Sequence, residues 1–332
     1  MIRFWIDSFR TGRASHRLRM ELPRQGLIAR GVQCTMIHRK VVYDRKHDIT
    51  DAINLEHDII IMNKEMKPEI FHDHVRPLQK LGVPVGMDIC DNKFDVRDGD
   101  NSLMKLVPQM DFLTANNETM QKVIKKRFPN KKVYWYTDPT ERPFEPARSY
   151  QGRMLKLCWY GSISSMKYFD VDRCLNKLWT LHVPWQLDLM SDQIERRVKA
   201  GLNNVKLHDW SYEAQGQMVR ESDIVLIPLT HLNPGDQRYG RVSTKSHNRL
   251  VDAIAQGRWV VTSPMPQYRP LQKYSWQGSL LKGVSYYLEN KKEVRDRITQ
   301  GQTWIKKRAT RKTAAKQLIR IYEDLKGTTV SP

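Results

Sequence analysis

Short apolar runs recur along the first half of the chain, separated by polar loops and by stretches with helical spacing. These runs lie at residues 2–6, 32–37, 58–62, 84–88, 111–114 and 132–136. Continuous apolar runs of this kind are typical of strands that are buried on both faces of a parallel sheet. Because the runs alternate with helical stretches, the pattern predicts a doubly wound α/β unit.

The second half of the chain repeats this pattern. Its apolar runs lie at residues 155–160, 185–189, 205–207, 223–228 and 259–262. We predict a helix capped by Ser211, a helix over residues 248–256 that ends at Gly257, and one long basic helix over residues 293–325. The two halves therefore look like two copies of one architecture.

A segment rich in proline and charge separates the two halves. Pro139, Pro143 and Pro146 lie in a stretch with almost no periodicity, which is typical of an interdomain connection. We predict an amino-terminal domain over residues 1–150, a carboxyl-terminal domain over residues 151–300, and a basic helix over residues 301–332 that crosses back to the first domain. The 332 residues are enough for two such domains, since a domain usually has about 100–200 residues.

Composition indicates a folded protein and a compartment. With 40% apolar and 28% charged residues, the chain has the composition of a soluble domain protein. Its four cysteines are far apart and form no C-x-x-C pair, which favours reduced thiols in a cytoplasm, the host cytoplasm if the protein is viral. No apolar stretch approaches the roughly 18–20 residues of a spanning helix. We therefore expect a protein that is neither secreted nor integral to a membrane.

The net charge points to the partner. The chain has 56 Lys and Arg against 36 Asp and Glu, a formal net charge of +20. A field of this sign concentrates polyanions such as nucleic acid or anionic lipid. Charge alone does not choose between these two.

The phosphate-binding loops of dinucleotide enzymes and P-loop ATPases are absent, because the sequence has neither G-x-G-x-x-G nor G-x-x-x-x-G-K-[ST]. Residues 243–249, Ser-Thr-Lys-Ser-His-Asn-Arg, instead place hydroxyls and two cations just before a predicted helix. Free N–H groups and the helix dipole favour a diphosphate at such a position. The alternative is an ordinary capped helix start with surface charge.

Five motifs lie in order along the chain. The longest is Lys245-Ser-x-Asn-Arg-Leu-x-x-Ala-x-Ala-x-Gly-x-x-Val-Val-x-Ser-Pro264, preceded by a strand that ends at Ile227-Pro-Leu229. The others are Ser15-x-Arg17-x-Arg19, Asp58-Ile-Ile-Ile-Met-x-Lys64, Asp88-Ile-Cys-Asp-Asn92 and Trp159-x-Gly161. Together they cover most of the chain and resemble the motifs of the GT-B glycosyltransferases.

The resemblance implies two Rossmann-like α/β domains that face a central cleft, with a nucleotide sugar on the carboxyl-terminal domain and the acceptor on the other. It implies that Gly161 and Ser162 let the backbone approach the diphosphate. Lys245, Ser246 and Arg249, beside Asn248, would neutralise the leaving diphosphate. His208, Asp209 and Trp210 would line the base pocket, and Asp252 would contact the ribose. The co-substrate would be a UDP-sugar, and neither a cofactor nor a metal is expected.

One position departs from the resemblance. Many retaining members carry E-x7-E, whereas this chain has Thr244 and Asp252 at the corresponding positions. Retention of anomeric configuration is therefore left open.

A cluster of aspartates follows the apolar run at 84–88. Asp91, our first choice, or Asp88, our second, could accept the proton of the acceptor hydroxyl or stabilise positive charge on the sugar carbon. The alternative for each is a helix cap or a solvated side chain. A metal held by the cluster is less expected.

The charge surplus suggests a polyanionic acceptor, and double-stranded DNA is the leading hypothesis. The candidate acceptor-binding residues are Arg13, Arg17, Arg19, Lys64, Lys125, Lys126 and Arg127. The last three lead toward Tyr134-Trp-Tyr136, which could stack a base or simply form a buried strand. Certain bacteriophage GT-B enzymes glycosylate hydroxymethylated bases in DNA. This chain resembles them in combining GT-B motifs with a strong positive charge.

Two alternatives stay open at this point. A basic GT-B enzyme could dock on anionic lipid and glycosylate a lipid or a cell-surface glycan. A non-catalytic nucleic-acid-binding protein on a degenerate GT-B scaffold would instead explain the missing first acidic residue. In either case we expect a monomer or a dimer.

Overall fold

The computed structural model describes residues 1–6, 14–38, 57–63, 71–94, 102–152, 154–166, 169, 171–192, 203–229 and 237–327. The chain folds into two compact units. The first comprises Met1–Pro139, Gly240–Ser246 and Arg308–Pro332, and the second comprises Thr140–Tyr239 and His247–Lys307.

The first unit contains, among its described residues, a six-stranded parallel sheet in the order β2-β1-β3-β4-β5-β6. Its strands are β1 (Ile2–Ile6), β2 (Cys34–His38), β3 (Ile59–Asn63), β4 (Val85–Ile89), β5 (Phe112–Ala115) and β6 (Lys132–Trp135). The helices on its faces are α1 (Ala14–His16), α2 (Leu22–Ile28), α3 (Arg76–Lys80), α4 (Ser102–Leu106) and α5 (Glu118–Arg127). A π-helical turn at Arg17–Glu21 joins α1 to α2, another at Phe71–Val75 precedes α3, and a 3-10 turn at Val107–Gln109 follows α4.

Both faces of this sheet are buried, as the apolar runs predict. Along β1, Trp5 packs into one core cluster while Phe4 and Ile6 pack into the other, since alternate side chains of a strand point to opposite faces. The first cluster lies under α3 and α5, and the second lies under α2 and the carboxyl-terminal helix. The sheet thus becomes the middle layer of a three-layer unit.

The second unit contains, again among described residues, a six-stranded parallel sheet in the order β12-β11-β10-β7-β8-β9. Its strands are β7 (Leu155–Tyr160), β8 (Trp185–Ser191), β9 (Val205–Asp209), β10 (Ile224–Ile227), β11 (Trp259–Thr262) and β12 (Trp276–Gln277). Its helices are α6 (Ile163–Met166), α7 (Val171–Leu178), α8 (Tyr212–Glu221), α10 (Asn248–Ala255), a 3-10 helix (Pro266–Tyr274), α11 (Leu280–Glu289) and α12 (Lys291–Arg308). Helix α9 (Gln237–Ser243) spans the boundary, because residues from Gly240 onward belong to the first unit.

The expected single helix over residues 293–325 is wrong. Helix α12 ends at Arg308, and α13 (Arg311–Lys326) begins after Thr310, whose hydroxyl accepts a hydrogen bond from the Thr313 N–H at 3.2 Å. Thr310 has extended backbone geometry (φ −120°, ψ 163°), so its side chain caps a new helix instead of continuing the old one. The helical periodicity of the basic residues concealed this break.

Helix α13 belongs to the first unit, where it packs on α2. The approach is close at Gly26, because a Cβ there would overlap the carbonyl of Arg311. Ala314, Ala315 and Leu318 are fully buried at this interface of the two helices. The last segment of the first unit begins at Arg308, and its helix at Arg311, whereas the prediction began the returning basic helix at residue 301.

The boundary expected near residue 150 also lies elsewhere, at Pro139–Thr140. Residues 140–150 hydrogen-bond within the second unit: Glu145 N donates to the Ala255 carbonyl at 3.0 Å and Arg148 N to the Gly257 carbonyl at 2.9 Å. Gly257 has φ +72°, and a Cβ there would overlap the Pro146 carbonyl. The proline-rich segment is thus built into the second unit.

No helix among the described residues has the length and apolar character required to span a membrane.

Candidate functional site

The first unit buries an ion-pair network at the carboxyl ends of its strands. Arg19 lies in the π-helical turn at Arg17–Glu21 and is 1% exposed, while Asp88 in β4 is 2% exposed. The guanidinium donates to both carboxylate oxygens, from Nη2 at 2.6 Å and from Nε at 3.1 Å. Its Nη1 donates to Asp138 at 3.0 Å and to the Tyr136 carbonyl at 2.7 Å. Every side of this arginine is occupied.

This network corrects two predictions. We expected Arg19 to contact the acceptor and Asp88 to be a second candidate base, but both side chains are buried against each other. Burial alone would lower the pKa of Arg19, yet the Asp88 carboxylate and its neighbours raise the pKa well above its usual value. The pair therefore holds the strand ends together.

The aromatic segment of β6 supports this network. Tyr136 is fully buried, its ring lies 3.4 Å below the Arg19 guanidinium, and its hydroxyl donates to the Arg19 carbonyl at 2.8 Å. Tyr134 hydrogen-bonds to Asp324 of α13. Tyr136 lies one residue past the end of β6 and is enclosed, so it cannot stack a base, whereas Tyr134 and Trp135 of the strand are partly exposed.

Asp91 lies two residues beyond the end of β4 and is partly exposed. The neighbouring Asn92 is 5% exposed, and its Oδ1 accepts the Phe94 N–H at 3.2 Å. Asp91 thus differs from Asp88 in remaining accessible, which keeps it as the candidate base.

The segment Gly240–Ser246, which carries Lys245 and Ser246, is bound by asparagines of the first unit. Asn117 caps α5: its Oδ1 accepts the Met120 N–H at 2.8 Å, while its Nδ2 donates to the Thr244 carbonyl at 3.1 Å and lies 3.4 Å from the Lys245 carbonyl. Lys245 and Ser246 are both partly exposed. Both predicted diphosphate contacts therefore lie on a segment that the first unit holds.

In the second unit, Arg249 and Gly161 lie side by side. The Arg249 Nη1 donates to the Tyr160 carbonyl at 2.9 Å, and a Cβ on Gly161 would lie 3.3 Å from that nitrogen and 3.1 Å from the Trp159 ring. No larger residue than glycine fits without displacing them. Burial raises the pKa of Tyr268, and the nearby Arg249 charge partly lowers it. Two of the predicted donor residues are thus brought together at the end of β7.

Ser162 is exposed, and its hydroxyl lies 3.0 Å from that of Ser165. The next backbone N–H, that of Ile163, donates to the Asp192 carboxylate at 2.8 Å. The first backbone N–H of α6, that of Ile163, therefore already has a hydrogen-bond acceptor within its own unit.

The predicted base-pocket residues lie at the carboxyl end of β9: His208 and Asp209 are its last two residues, and Trp210 follows it. Asp209 is exposed and Trp210 is partly exposed, and Asn248, at the start of α10, is partly exposed too. His208 Nε2 lies 2.9 Å from Asp188 Oδ1, which fixes the imidazole on the neighbouring strand. Asp209 and Trp210 are accessible as a base pocket would require.

Asp252 is held by residues of its own unit. It is 4% exposed, and its Oδ1 accepts hydrogen bonds from the Thr140 hydroxyl at 2.8 Å and from the Glu141 N–H at 3.1 Å. Burial raises its pKa to about 7, with the Glu141 charge adding to the shift. The side chain thus anchors the first residues of the second unit, and its contact with a ribose stays a prediction.

The predicted acceptor-binding cations differ in where they lie. Lys125, Lys126 and Arg127 are exposed in the last turn of α5, where cations are also favoured by the helix dipole. Arg17 is partly buried and makes further contacts. Arg13 and Lys64 fall outside the described residues.

Sequence reasoning missed the asparagines. Asn117 stands directly before the first residue of α5, so its capping role has a sequence signal. Its second set of partners lies more than a hundred positions further along the chain, and no local pattern reveals such a contact.

The fold is that of GT-B glycosyltransferases. A glycosyltransferase from Rickettsia africae ESF-5 superposes with a TM-score of 0.65 at 10% identity, covering 98% of each chain. The lipopolysaccharide outer core galactosyltransferase WaaB gives 0.57 at 13% identity, over 96% of this chain and 97% of its own. The pneumococcal O-GlcNAc transferase GtfA, solved with UDP and GlcNAc, gives 0.57 at 13% identity, over 83% of this chain and 58% of its own.

The chain spans less than two thirds of the length of GtfA and of several other matched structures. At the level of sequence, neither a protein-family model nor a curated protein matches it. The similarity to these structures thus concerns the fold, which the predicted α/β architecture with two Rossmann-like domains anticipated.

Proposed function

We propose that this chain is a glycosyltransferase that moves a sugar from a nucleoside diphosphate sugar to a hydroxyl acceptor. The observation that carries the proposal is the GT-B fold shared along 98% of the rickettsial glycosyltransferase. The presence of UDP in the GtfA structure supports a UDP-sugar as the donor.

The donor diphosphate would contact residues at the start of α10 and the end of β7. Arg249 supplies a guanidinium beside Gly161, whose missing side chain makes room for that guanidinium and for the Trp159 ring. Asn248 begins α10, whose dipole favours an anion at this end. Lys245 and Ser246 immediately precede it and would add a second cation and a hydroxyl.

In the reaction, the acceptor oxygen forms a bond to the anomeric carbon as the bond from that carbon to the diphosphate breaks. The acceptor proton goes to Asp91, and the nucleoside diphosphate leaves with the bonding electron pair. Because negative charge grows on the leaving group, the cations at Lys245 and Arg249 stabilise the transition state more than the ground state. Trp210 and Asp209 would bind the base of the nucleotide.

The acceptor we favour is a hydroxymethylated base in double-stranded DNA. The net charge of +20 exceeds what a single diphosphate requires, and Lys125, Lys126 and Arg127 offer an exposed cationic surface. A 5-hydroxymethyl group projects into the major groove, where an enzyme can reach it from outside the duplex.

A second candidate acceptor is a lipid-linked or cell-surface glycan. The observation that favours it is the match to WaaB, a lipopolysaccharide galactosyltransferase, along nearly the whole of both chains. Exposed cations would then face anionic headgroups instead of nucleic-acid phosphates.

The test of the donor site is thermal unfolding with UDP. Saturation at about 100 times Kd should stabilise the folded protein by about 2.7 kcal/mol. Arg249→Met should lose most of this shift, whereas the matched surface variant Arg295→Met on α12 should keep it. A wild-type protein that UDP does not stabilise would contradict the proposal and favour a non-catalytic scaffold.

A further inference from the structure

The asparagines at the carboxyl end of the first sheet form a connected chain of amides. Asn116 Nδ2 donates to the Cys90 carbonyl at 3.1 Å, and Asn117 Nδ2 donates to Asn116 Oδ1 at 3.0 Å and to the Thr244 carbonyl at 3.1 Å. Cys90 directly precedes Asp91, and Thr244 directly precedes Lys245. The amides therefore connect the backbone beside the proposed base to the backbone beside the proposed diphosphate contact.

The Thr244 carbonyl, which accepts the Asn117 amide, lies just past the end of α9 at Ser243. Carbonyl groups at the end of a helix have no intrahelical N–H to accept and need partners from outside the helix. Thr244 is 1% exposed and Asn117 is 7% exposed, so water cannot easily replace this hydrogen bond. Asn92 Nδ2 adds a longer contact, 3.4 Å, to the Gly240 carbonyl.

We propose that Asn117 is a positioning residue that holds the Thr244–Lys245 backbone so that Lys245 and Ser246 are ready for the donor diphosphate. The inference rests on the proposed function. Asn117 touches no substrate; it acts through the two carbonyls it binds. A backbone segment that is already fixed by these hydrogen bonds loses less conformational freedom when the diphosphate binds.

The two halves of the Asn117 side chain allow the role to be isolated. Its Oδ1 caps α5 and its Nδ2 binds the segment. Serine caps helices about as well as asparagine but cannot supply the amide donors. Asn117→Ser therefore keeps the cap and removes the positioning hydrogen bond, while Asn117→Ala removes both.

The experiment measures UDP affinity by calorimetry, thermal unfolding, and amide hydrogen exchange of residues 240–247. For Asn117→Ser we expect UDP affinity to fall about tenfold, exchange in this segment to accelerate, and the midpoint of unfolding to stay near that of the wild type. Asn117→Ala should show the same loss of affinity with a lower midpoint. Thr310→Ala, which removes the matched cap of α13 in the same unit, should lower the midpoint and leave UDP affinity unchanged.

If Asn117→Ser exchanges faster in residues 240–247 but keeps full UDP affinity, the positioning role is wrong and the proposed function stands. The same conclusion follows if exchange in this segment is unchanged. If the wild-type protein binds no nucleoside diphosphate, the proposed function fails together with the role that rests on it. Loss of affinity in Thr310→Ala equal to that in Asn117→Ser would also overturn the proposal, because a general loss of stability would then explain both.

Discussion

Arg249 donates a hydrogen bond to the Tyr160 carbonyl at 2.9 Å, and this bond joins the start of α10 to the end of β7. The two residues are far apart in the sequence but meet beside Gly161, where a Cβ would lie 3.3 Å from the Arg249 Nη1. A cation held by a backbone carbonyl has few alternative positions, so its charge is placed before a ligand binds.

This arrangement predicts that Gly161→Ala weakens UDP binding. The added methyl would lie 3.1 Å from the Trp159 ring, closer than most Cβ contacts, and would displace either the ring or Arg249. We expect a loss of about tenfold in affinity and about 1–3 kcal/mol in stability. Gly278→Ala is the matched control, since its Cβ would lie 3.5 Å from Trp276. Equal UDP affinity in the two variants would show that the space at Gly161 has no part in binding.

The buried ion pair predicts a stability effect. Arg19→Met leaves the Asp88 and Asp138 charges unpaired in the core, which should cost about 3–5 kcal/mol of unfolding free energy. The double variant Arg19→Met with Asp88→Leu should recover part of the loss, because only the Asp138 charge then remains buried without its arginine. Urea unfolding measures both. An Arg19→Met protein of normal stability that had lost only DNA affinity would contradict the structural role and support the predicted acceptor-binding role.

The Asp252 hydrogen bonds predict a pH dependence. The folded pKa of about 7 lies above the ordinary value of 3.8, so the folded state binds the proton more tightly than the unfolded state. The contribution of this group to stability is therefore fully present below pH 3.8 and is lost as the pH rises through about 7. Between these values the unfolding free energy should fall with pH, by at most about 1.4 kcal/mol per pH unit.

Asp252→Asn should remove this slope, because the amide does not titrate yet still accepts a hydrogen bond from Thr140 or Glu141. Urea unfolding of both proteins at about pH 5, 6, 7 and 8 gives the comparison. The account of Asp252 is wrong if the two profiles remain parallel over this range.

The exposed cations of α5 predict the salt dependence of DNA binding. Replacing Lys125, Lys126 and Arg127 together with alanine should weaken binding and reduce the slope of log K against log salt, by about 0.9 for each phosphate that these cations neutralise in the wild type. The control replaces Lys291, Lys292 and Arg295, an equal charge in the second unit. Identical slopes for the two triple variants would mean that only the net charge of the protein affects DNA binding and that the cations of α5 do not contact DNA specifically.

The sequence predicts the fold better than it predicts the site. Each predicted apolar run corresponds to a strand. Central strands such as β3, β4 and β10 are buried on both faces and leave a continuous apolar pattern, whereas the edge strand β9 is only partly buried. The short strand β12 and the break at Thr310 were missed, since two residues give no periodicity and a threonine within a basic helix resembles a surface position. Roles in the site depended on partners distant in sequence.

Asp88 and Asp91 show why. Both follow one apolar run and look alike as candidates, but Asp88 meets Arg19 and Thr114 while Asp91 stays partly exposed. Arg19 lies in a helical turn between β1 and β2, 69 residues before Asp88 in the sequence. Only the folded arrangement of the unit separates a structural carboxylate from an accessible one.

The most direct test of the central claim is transfer of label from a radiolabelled UDP-sugar. Purified protein is incubated with duplex DNA containing hydroxymethylated bases, with unmodified DNA, and with a lipid-linked glycan. We expect label only in the hydroxymethylated DNA, and a fall of at least about 100-fold for Asp91→Ala and for Lys245→Ala. Label in the glycan alone would contradict the DNA acceptor, and undiminished transfer by Lys245→Ala would contradict the donor site.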